Sequence, residues 1–436
     1  MRLHASLSLV GLSLLGCQVL SFSRGALRPK QHRFSLLLFA SSPSWSDLSN
    51  EMDLASPGPL VIDSLRDPST PRWSKNHPTL IREREGWCPY SERVWLTLEH
   101  LQVDYDTVRI DNSGYGPRPA YYSGQTPQVR WPGEARAQGE SMDLVYRVFD
   151  EQEESYDASR NAAAIQAWKS IMPQRSRPSS RAAFLFQYNG EPLWQSVLEE
   201  CLEQVDALLL PENGGSFFGG ATIGPADMCW APFLERYRYQ LPCLHEGLDP
   251  NDAKKYPNLA HWYSLMDTTV PAYVCRVKGN AASWRKVLSM AGFGNAGIPL
   301  TVQTNMDLLL EKELAESTKL VSTTGEQSIW KQYAETRPHV ARTAHGEAAR
   351  VILENREAIA SDTQKNCQDS WDTGNIGSLD DAMKDLVGAL MRNDRSRSTP
   401  GSKQLARFLT ERMCVPRDMG CLPSAYIHVH GSLETD

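Results

Sequence analysis

The pentapeptide Trp87-Cys88-Pro89-Tyr90-Ser91 constrains this chain more than any other stretch. Upstream of it, Leu80-Ile81-Arg82-Glu83 suits a strand; downstream, Glu92-Arg93-Val94-Trp95-Leu96-Thr97-Leu98-Glu99 is compatible with a helix. Proline has no N–H to lose and a φ already near the helical value, so it favours the first helical position. Cys88-Pro89 therefore reads as a strand-to-helix turn with the cysteine at the helix N-terminus. The free N–H groups and the positive end of the helix dipole there favour a thiolate, the form that attacks sulfur and carbon electrophiles.

A chain of 436 residues has room for two or three domains, and 41% hydrophobic with 22% charged residues is a globular composition. A net charge of −7 without a basic block argues against nucleic acid as a partner. Nine scattered cysteines with no Cys-x-x-Cys pair indicate neither a zinc site nor a disulfide framework, and Cys414 and Cys421 match no metal-ligand spacing. No metal is expected.

The first 45 residues read as a targeting segment. Arg2 and His4 precede the apolar run Leu7–Leu15, a signal-peptide core too short for a stable membrane span. Arg24, Arg28, Lys30 and Arg33 follow among serines and leucines, and no acidic residue occurs before Asp47. Signal plus basic, acid-poor segment resembles the bipartite leader of algal plastid proteins, with Phe22 opening the transit part. Leu14-Leu15-Gly16-Cys17 also resembles a lipoprotein box, and a secreted or endomembrane location is the alternative to the plastid.

Residues 46–78 are rich in Ser, Pro and Asp and read as a linker. Residues 79–152 alternate between strand and helix. Val103–Ile110 and Gln128–Trp131 suit strands, Ala135–Gln138 can pair back through the Pro132-Gly133 turn, and Ser141–Phe149 suits a helix. Residues 153–290 have helical periodicity, with Leu193–Leu209, Ala226–Tyr237 and a segment from Tyr256 as helices and Trp and Tyr as core. Residues 291–436 form a helical extension of unknown role, with periodic segments at Met306–Leu320, Gly346–Ile359, Leu379–Met391 and Lys403–Met413. His428 and His430 flank one residue and are expected on an exposed strand or tail. The fold class is thus α/β plus all-α.

Three pieces align: Cys88; Gln125-Thr126-Pro127-Gln128-Val129, a proline entering a strand; and Gly139-Glu140-Ser141, opening a helix. Their order and spacing resemble the glutathione transferase superfamily, and Ile223-Gly224-Pro225-Ala226-Asp227 and Tyr256–Trp262 continue the resemblance over about 79 to 285. It implies a thioredoxin-like N-terminal domain, a helical C-terminal domain and glutathione as co-substrate. On that resemblance Cys88 is the catalytic residue. Thr126, before a cis Pro127, offers its backbone to the peptide part of glutathione, and Ser141 takes the γ-glutamyl carboxylate at a helix N-terminus. Glu140 holds the ammonium or anchors the turn. Tyr90 and Ser91 lie beside the sulfur, with Ser91 a donor to the thiolate, and Arg93 adds positive potential. Asp227 is assigned to the fold, as the cap of its helix.

A cysteine at this position resembles the omega, lambda and dehydroascorbate reductase groups. Ser91 stands where a dithiol glutaredoxin motif has its second cysteine, which implies a monothiol cycle on a mixed disulfide, with weak conjugation of small electrophiles alongside. The sequence departs from the family at three places. Gln125 stands where a basic residue often precedes the cis proline, leaving Arg118 as the further candidate; Asn112–Arg118 is atypical; and Gly224 replaces the usual Ser or Thr cap. Val415–Met419 resembles tails of some algal and plant transferase-like proteins, which would cover the cleft or make a contact in a homodimer. The competing function is a non-catalytic binding or scaffold module on the same fold.

Overall fold

The computed structural model describes residues 43–432 apart from 53–57, 68, 70, 112–117, 174–183, 212–214, 294–296, 322–323 and 368–377. The leader through residue 42 and most of the atypical 112–118 stretch lie outside the described residues.

Four strands form one sheet in the order β1 (Val61–Asp63), β3 (Asp106–Ile110), β2 (Thr79–Glu83), β4 (Gln128–Arg130). β2 and β3 run parallel, Leu80 opposite Thr107, so the chain crosses over between them through α2 (Pro89–His100). β4 joins β2 antiparallel, and β1 lies parallel to β3 on the far edge. Alternation along the strands sorts neighbours to opposite faces. Leu80 and Val129 pack in the main core, whereas Ile81, Val108 and Ile110 form a small second cluster with Tyr122. This is the thioredoxin-like domain, with α3 (Ser141–Glu151) on the α2 side.

Two expectations change here. The 46–78 segment is not a bare linker: β1 belongs to it, as does α1 (Trp45–Glu51), closed by a Ser44/Asp47 capping box. The Ala135–Gln138 strand reduces to one bridge, Val129 to Gln138.

The helical domain contains α4 (Ala158–Ile171), α5 (Gln195–Leu208), α6 (Pro225–Leu244), α7 (Pro257–Thr269), a π-helical turn (Tyr273–Val277) and α8 (Ala281–Ala291). α6 outruns its expected end and passes through Pro232 and Pro242. An internal proline costs a helix about 3 kcal/mol, but sixteen side chains of α6 are buried here, and that packing outweighs propensity. Asp227 is buried and accepts bonds from the backbone N–H of Phe218, Gly219 and Gly224 and from Trp262 Nε1, all at 3.0–3.1 Å. The acceptor that Gly224 lacks comes from α4, where Asn161 Oδ1 takes the Ala226 N–H at 2.8 Å. A Cβ on Gly224 would stand 2.8 Å from that same oxygen, so the glycine makes room for the borrowed cap.

The extension is helical, as expected: α9 (Leu300–Leu320), α10 (Thr324–Glu335), α11 (Ala344–Glu354), α12 (Arg356–Asn366), α13 (Leu379–Met391), α14 (Pro400–Arg412) and α15 (Cys421–Gly431). It builds its own core around Ile352, Leu386, Leu390, Leu405 and Ile427, joined by Leu48 of α1. α1 is also tied to α13 by Trp45 Nε1 donating to Asp380 at 2.8 Å. His428 and His430, expected on a strand or tail, are buried in α15 instead, where only neutral imidazoles fit. Burial pushes both rings down to about 4, with Arg395 and His345 adding to the shift at His430. No helix among the described residues is long and apolar enough to cross a membrane.

Candidate active site

α2 is covered on nearly every side: all residues from Ser91 to Glu99 are buried. Its polar side chains must therefore find partners within the protein, and these partners determine what surrounds Cys88. Glu92 pairs with Arg236 of α6 at 2.9 Å, both side chains essentially inaccessible. The same guanidinium donates from Nη2 to the Trp87 carbonyl at 2.7 Å, fixing the residue before the cysteine. Glu99 accepts Arg337 Nε at 3.2 Å and Tyr105 Oη at 2.6 Å, linking α2 to the extension. Arg93 donates to the Cys229 carbonyl at 3.2 Å and to Ser141 Oγ at 3.3 Å, with its plane 4.5 Å from the Trp168 ring.

Cys88 is the N-cap of α2, extended at φ −75° and ψ 114°, with Pro89 next, and is only 5% exposed. Its Sγ lies 3.9 Å from the Thr126 carbonyl oxygen and 3.8 Å from Thr126 Oγ1. The two contacts serve different protonation states: a thiol donates to the carbonyl, whereas a thiolate accepts from the hydroxyl. Thr126–Pro127 is a cis peptide. A Cβ on Gly139 would stand 4.0 Å from the Pro127 carbonyl oxygen, so the third piece lies against the second. Glu140 is exposed at φ 62°, a left-handed backbone that a non-glycine residue holds only under tertiary constraint. Ser141 follows as the first residue of α3.

The three pieces separated in sequence thus meet at one place. Tyr90 stands between the domains, its ring edge-on to Phe233 at 5.8 Å, and burial raises its hydroxyl pKa. Arg118 is exposed, its Nη1 3.4 Å from where a Gly124 Cβ would be, two residues ahead of Thr126. One expectation fails. Ser91 Oγ is buried without a hydrogen-bond partner and does not reach the sulfur. Arg93 places its hydrogen bonds on Ser141 and the α6 backbone.

The Cys88 turn is also held from behind by residues whose role the sequence did not signal. Glu83 accepts the backbone N–H of Glu85 and of Trp87, each at 2.7 Å. Arg417, from the loop between α14 and α15, pairs with Glu85, and Cys414 Sγ donates to the Glu85 carbonyl at 3.5 Å. That loop contains a second cis peptide, Val415–Pro416. It is seated by Arg276 Nη1 on the Pro416 carbonyl at 3.1 Å and by Ser283 Oγ accepting the Val415 N–H at 3.0 Å. It approaches so closely that a Cβ on Gly420 would collide with the Cys275 carbonyl oxygen.

Residues 87–145 match the glutathione S-transferase N-terminal domain, and residues 154–264 match the glutathione S-transferase C-terminal domain. Over these residues the chain is similar to both domains of the glutathione S-transferase family. Pyrimidodiazepine synthase of Drosophila melanogaster is 27% identical over 200 residues, which cover 43% of this chain and 77% of that protein. Among solved structures, dehydroascorbate reductase of Chlamydomonas reinhardtii is 19% identical, covering 54% of this chain and 100% of that one at a TM-score of 0.33. Glutathione transferase Omega 2S of Trametes versicolor is 17% identical over 55% of this chain and 98% of that one, TM-score 0.34. Both matches end before residue 265, and the extension with its loop on the Cys88 turn lies outside them.

Proposed function

We propose that this chain is a glutathione-dependent thiol transferase in which Cys88 carries glutathione as a mixed disulfide. The observation that carries the reading is the Cys88 sulfur at a helix N-terminus, facing both the hydroxyl and the carbonyl of Thr126. The Cys88 thiolate attacks the glutathione sulfur of a mixed disulfide R–S–SG. The S–S bond between the R–S and glutathione sulfurs breaks, and the departing R–S thiolate takes a proton to become R–SH. A second glutathione thiolate then attacks the Cys88–S–SG bond, releasing oxidised glutathione and regenerating the Cys88 thiolate. Ser91 leaves no thiol at the glutaredoxin-like second position, so the second glutathione resolves the disulfide. In this reading the Thr126 backbone pairs with the glutathione peptide, the α3 N-terminus at Ser141 receives the γ-glutamyl carboxylate, Glu140 faces the ammonium, and Arg118 is the cation for the glycine carboxylate.

The low exposure of Cys88 favours one competing reading, a binding module on the same fold. Glutathione-dependent reduction of a small mixed disulfide separates the two. Activity that is lost in Cys88→Ser supports the transferase; equal rates in both proteins end the catalytic cysteine; inactivity of both favours the binding module. The plastid assignment of residues 1–45 is likewise a proposal, tested by the destination of a fluorescent protein carrying that leader in algal cells.

A further inference from the structure

A cavity of about 1320 Å³ lies between the β1–β3 edge of the sheet and the extension, which lines it from α10, α11, α12, α14 and α15. Neither Cys88, Thr126 nor Ser141 lines it. Eight arginines do. Six of them, Arg84, Arg276, Arg337, Arg350, Arg412 and Arg417, each reach a carboxylate. Arg66 is exposed. Carboxylates line the cavity as well, yet Arg109 differs: it is half-buried, no carboxylate among the described residues comes within ion-pair distance, its Nε has no hydrogen-bond partner, and its Nη2 donates to the Arg417 carbonyl at 2.9 Å.

The sheet register makes this arrangement costly. Arg109 on β3 stands directly beside Arg82 on β2, and like charges opposite each other in a sheet repel. Arg82 is 1% exposed, also has an unpartnered Nε, and reaches no carboxylate either; its head lies 4.2 Å from the Trp95 ring centre. Asp63, the neighbour of Arg109 on β1, gives its carboxylate to Arg84 at 2.9 Å, and Asp418 gives its own to Arg417 at 2.7 Å. Burial and Arg276 depress the Arg109 pKa to about 10, with Arg417 adding to the shift and the more distant carboxylates of Asp418 and Asp63 opposing it. Among the described residues, the carboxylates nearest this cation are each paired to another arginine, so no direct ion pair is left for it.

We infer that this cavity binds a small organic anion, with a carboxylate or phosphate group seated on Arg109. The planar guanidinium suits either group through paired hydrogen bonds. The inference rests on no part of the glutathione assignment. Isothermal titration of the full chain with citrate and with inorganic phosphate, at fixed ionic strength set with chloride, tests it. One saturable site is expected for at least one of the two, and which one binds identifies the head group. Affinity should fall tenfold or more in Arg109→Gln and less in Arg109→Lys, which keeps the charge but loses the fork. If Arg109→Gln fails to fold, phenylglyoxal labelling of the wild type, mapped by mass spectrometry, replaces it, with the bound anion expected to protect Arg109. No saturable binding of either anion, unchanged affinity in a folded Arg109→Gln, or labelling of Arg109 unaffected by the anion would overturn the inference.

Discussion

Two arginines grip the turn that presents Cys88, one from each half of the molecule, and their surroundings differ. Arg236 of the transferase half is fully buried against Glu92 and also holds the Trp87 carbonyl. Arg417 of the extension pairs with Glu85 and Asp418, with about a fifth to a third of each side chain still open to solvent. A buried charge stripped of its partner is expensive, whereas a wetted pair is screened and contributes little. The turn is therefore set by the transferase half and only braced by the extension.

Arg236→Ala should have the largest effect, about 3–5 kcal/mol of lost stability in chemical denaturation, because Glu92 is left charged without solvent. Removing both charges with Arg236→Met and Glu92→Leu should recover part of that loss. Arg417→Ala should cost about 1 kcal/mol or less; a loss as large as that of Arg236→Ala would break the comparison and make the extension a full partner in the turn.

A further effect distinguishes the halves by acidity. His428 and His430 are held neutral in the extension core, with folded-state values near 4. An unfolded histidine titrates at about 6.5, so the unfolded chain gains protons that the folded chain refuses. Stability from these sites is full above about pH 6.5, declines as pH falls towards 4, and levels below that. Hydrogen exchange should show α14 and α15 losing protection over that window, and His428→Gln should flatten the decline. An unchanged slope in His428→Gln would remove the histidine account.

The transferase half was legible because its signals are local. Cys88-Pro89, Thr126-Pro127, Glu140-Ser141 and Asp227 each carry a turn or cap whose chemistry is set by adjacent residues, and the chain brings them where their order implied. What escaped was long-range. Nothing around Arg236 foretells a partner 144 positions earlier, nor around Arg417 one 332 earlier. β1 was hidden because three residues in a Ser- and Pro-rich segment have no periodicity of their own; β3 supplies the edge they pair with. His428 and His430 were misread because two polar residues flanking one position suit a strand, while the apolar neighbours Ile427 and Val429 fit a buried helix as well. Ser91 was given to the sulfur by proximity in sequence, but the turn of α2 carries its hydroxyl into the packed interior.

The central claim, that Cys88 carries glutathione, is tested most directly by mass spectrometry of the intact chain after exposure to oxidised glutathione. The account predicts one glutathione per chain, mapped by peptide analysis to Cys88, removed by reduced glutathione and absent from Cys88→Ser. An adduct on the more accessible Cys367 instead, or none on Cys88 in a folded protein, would contradict it.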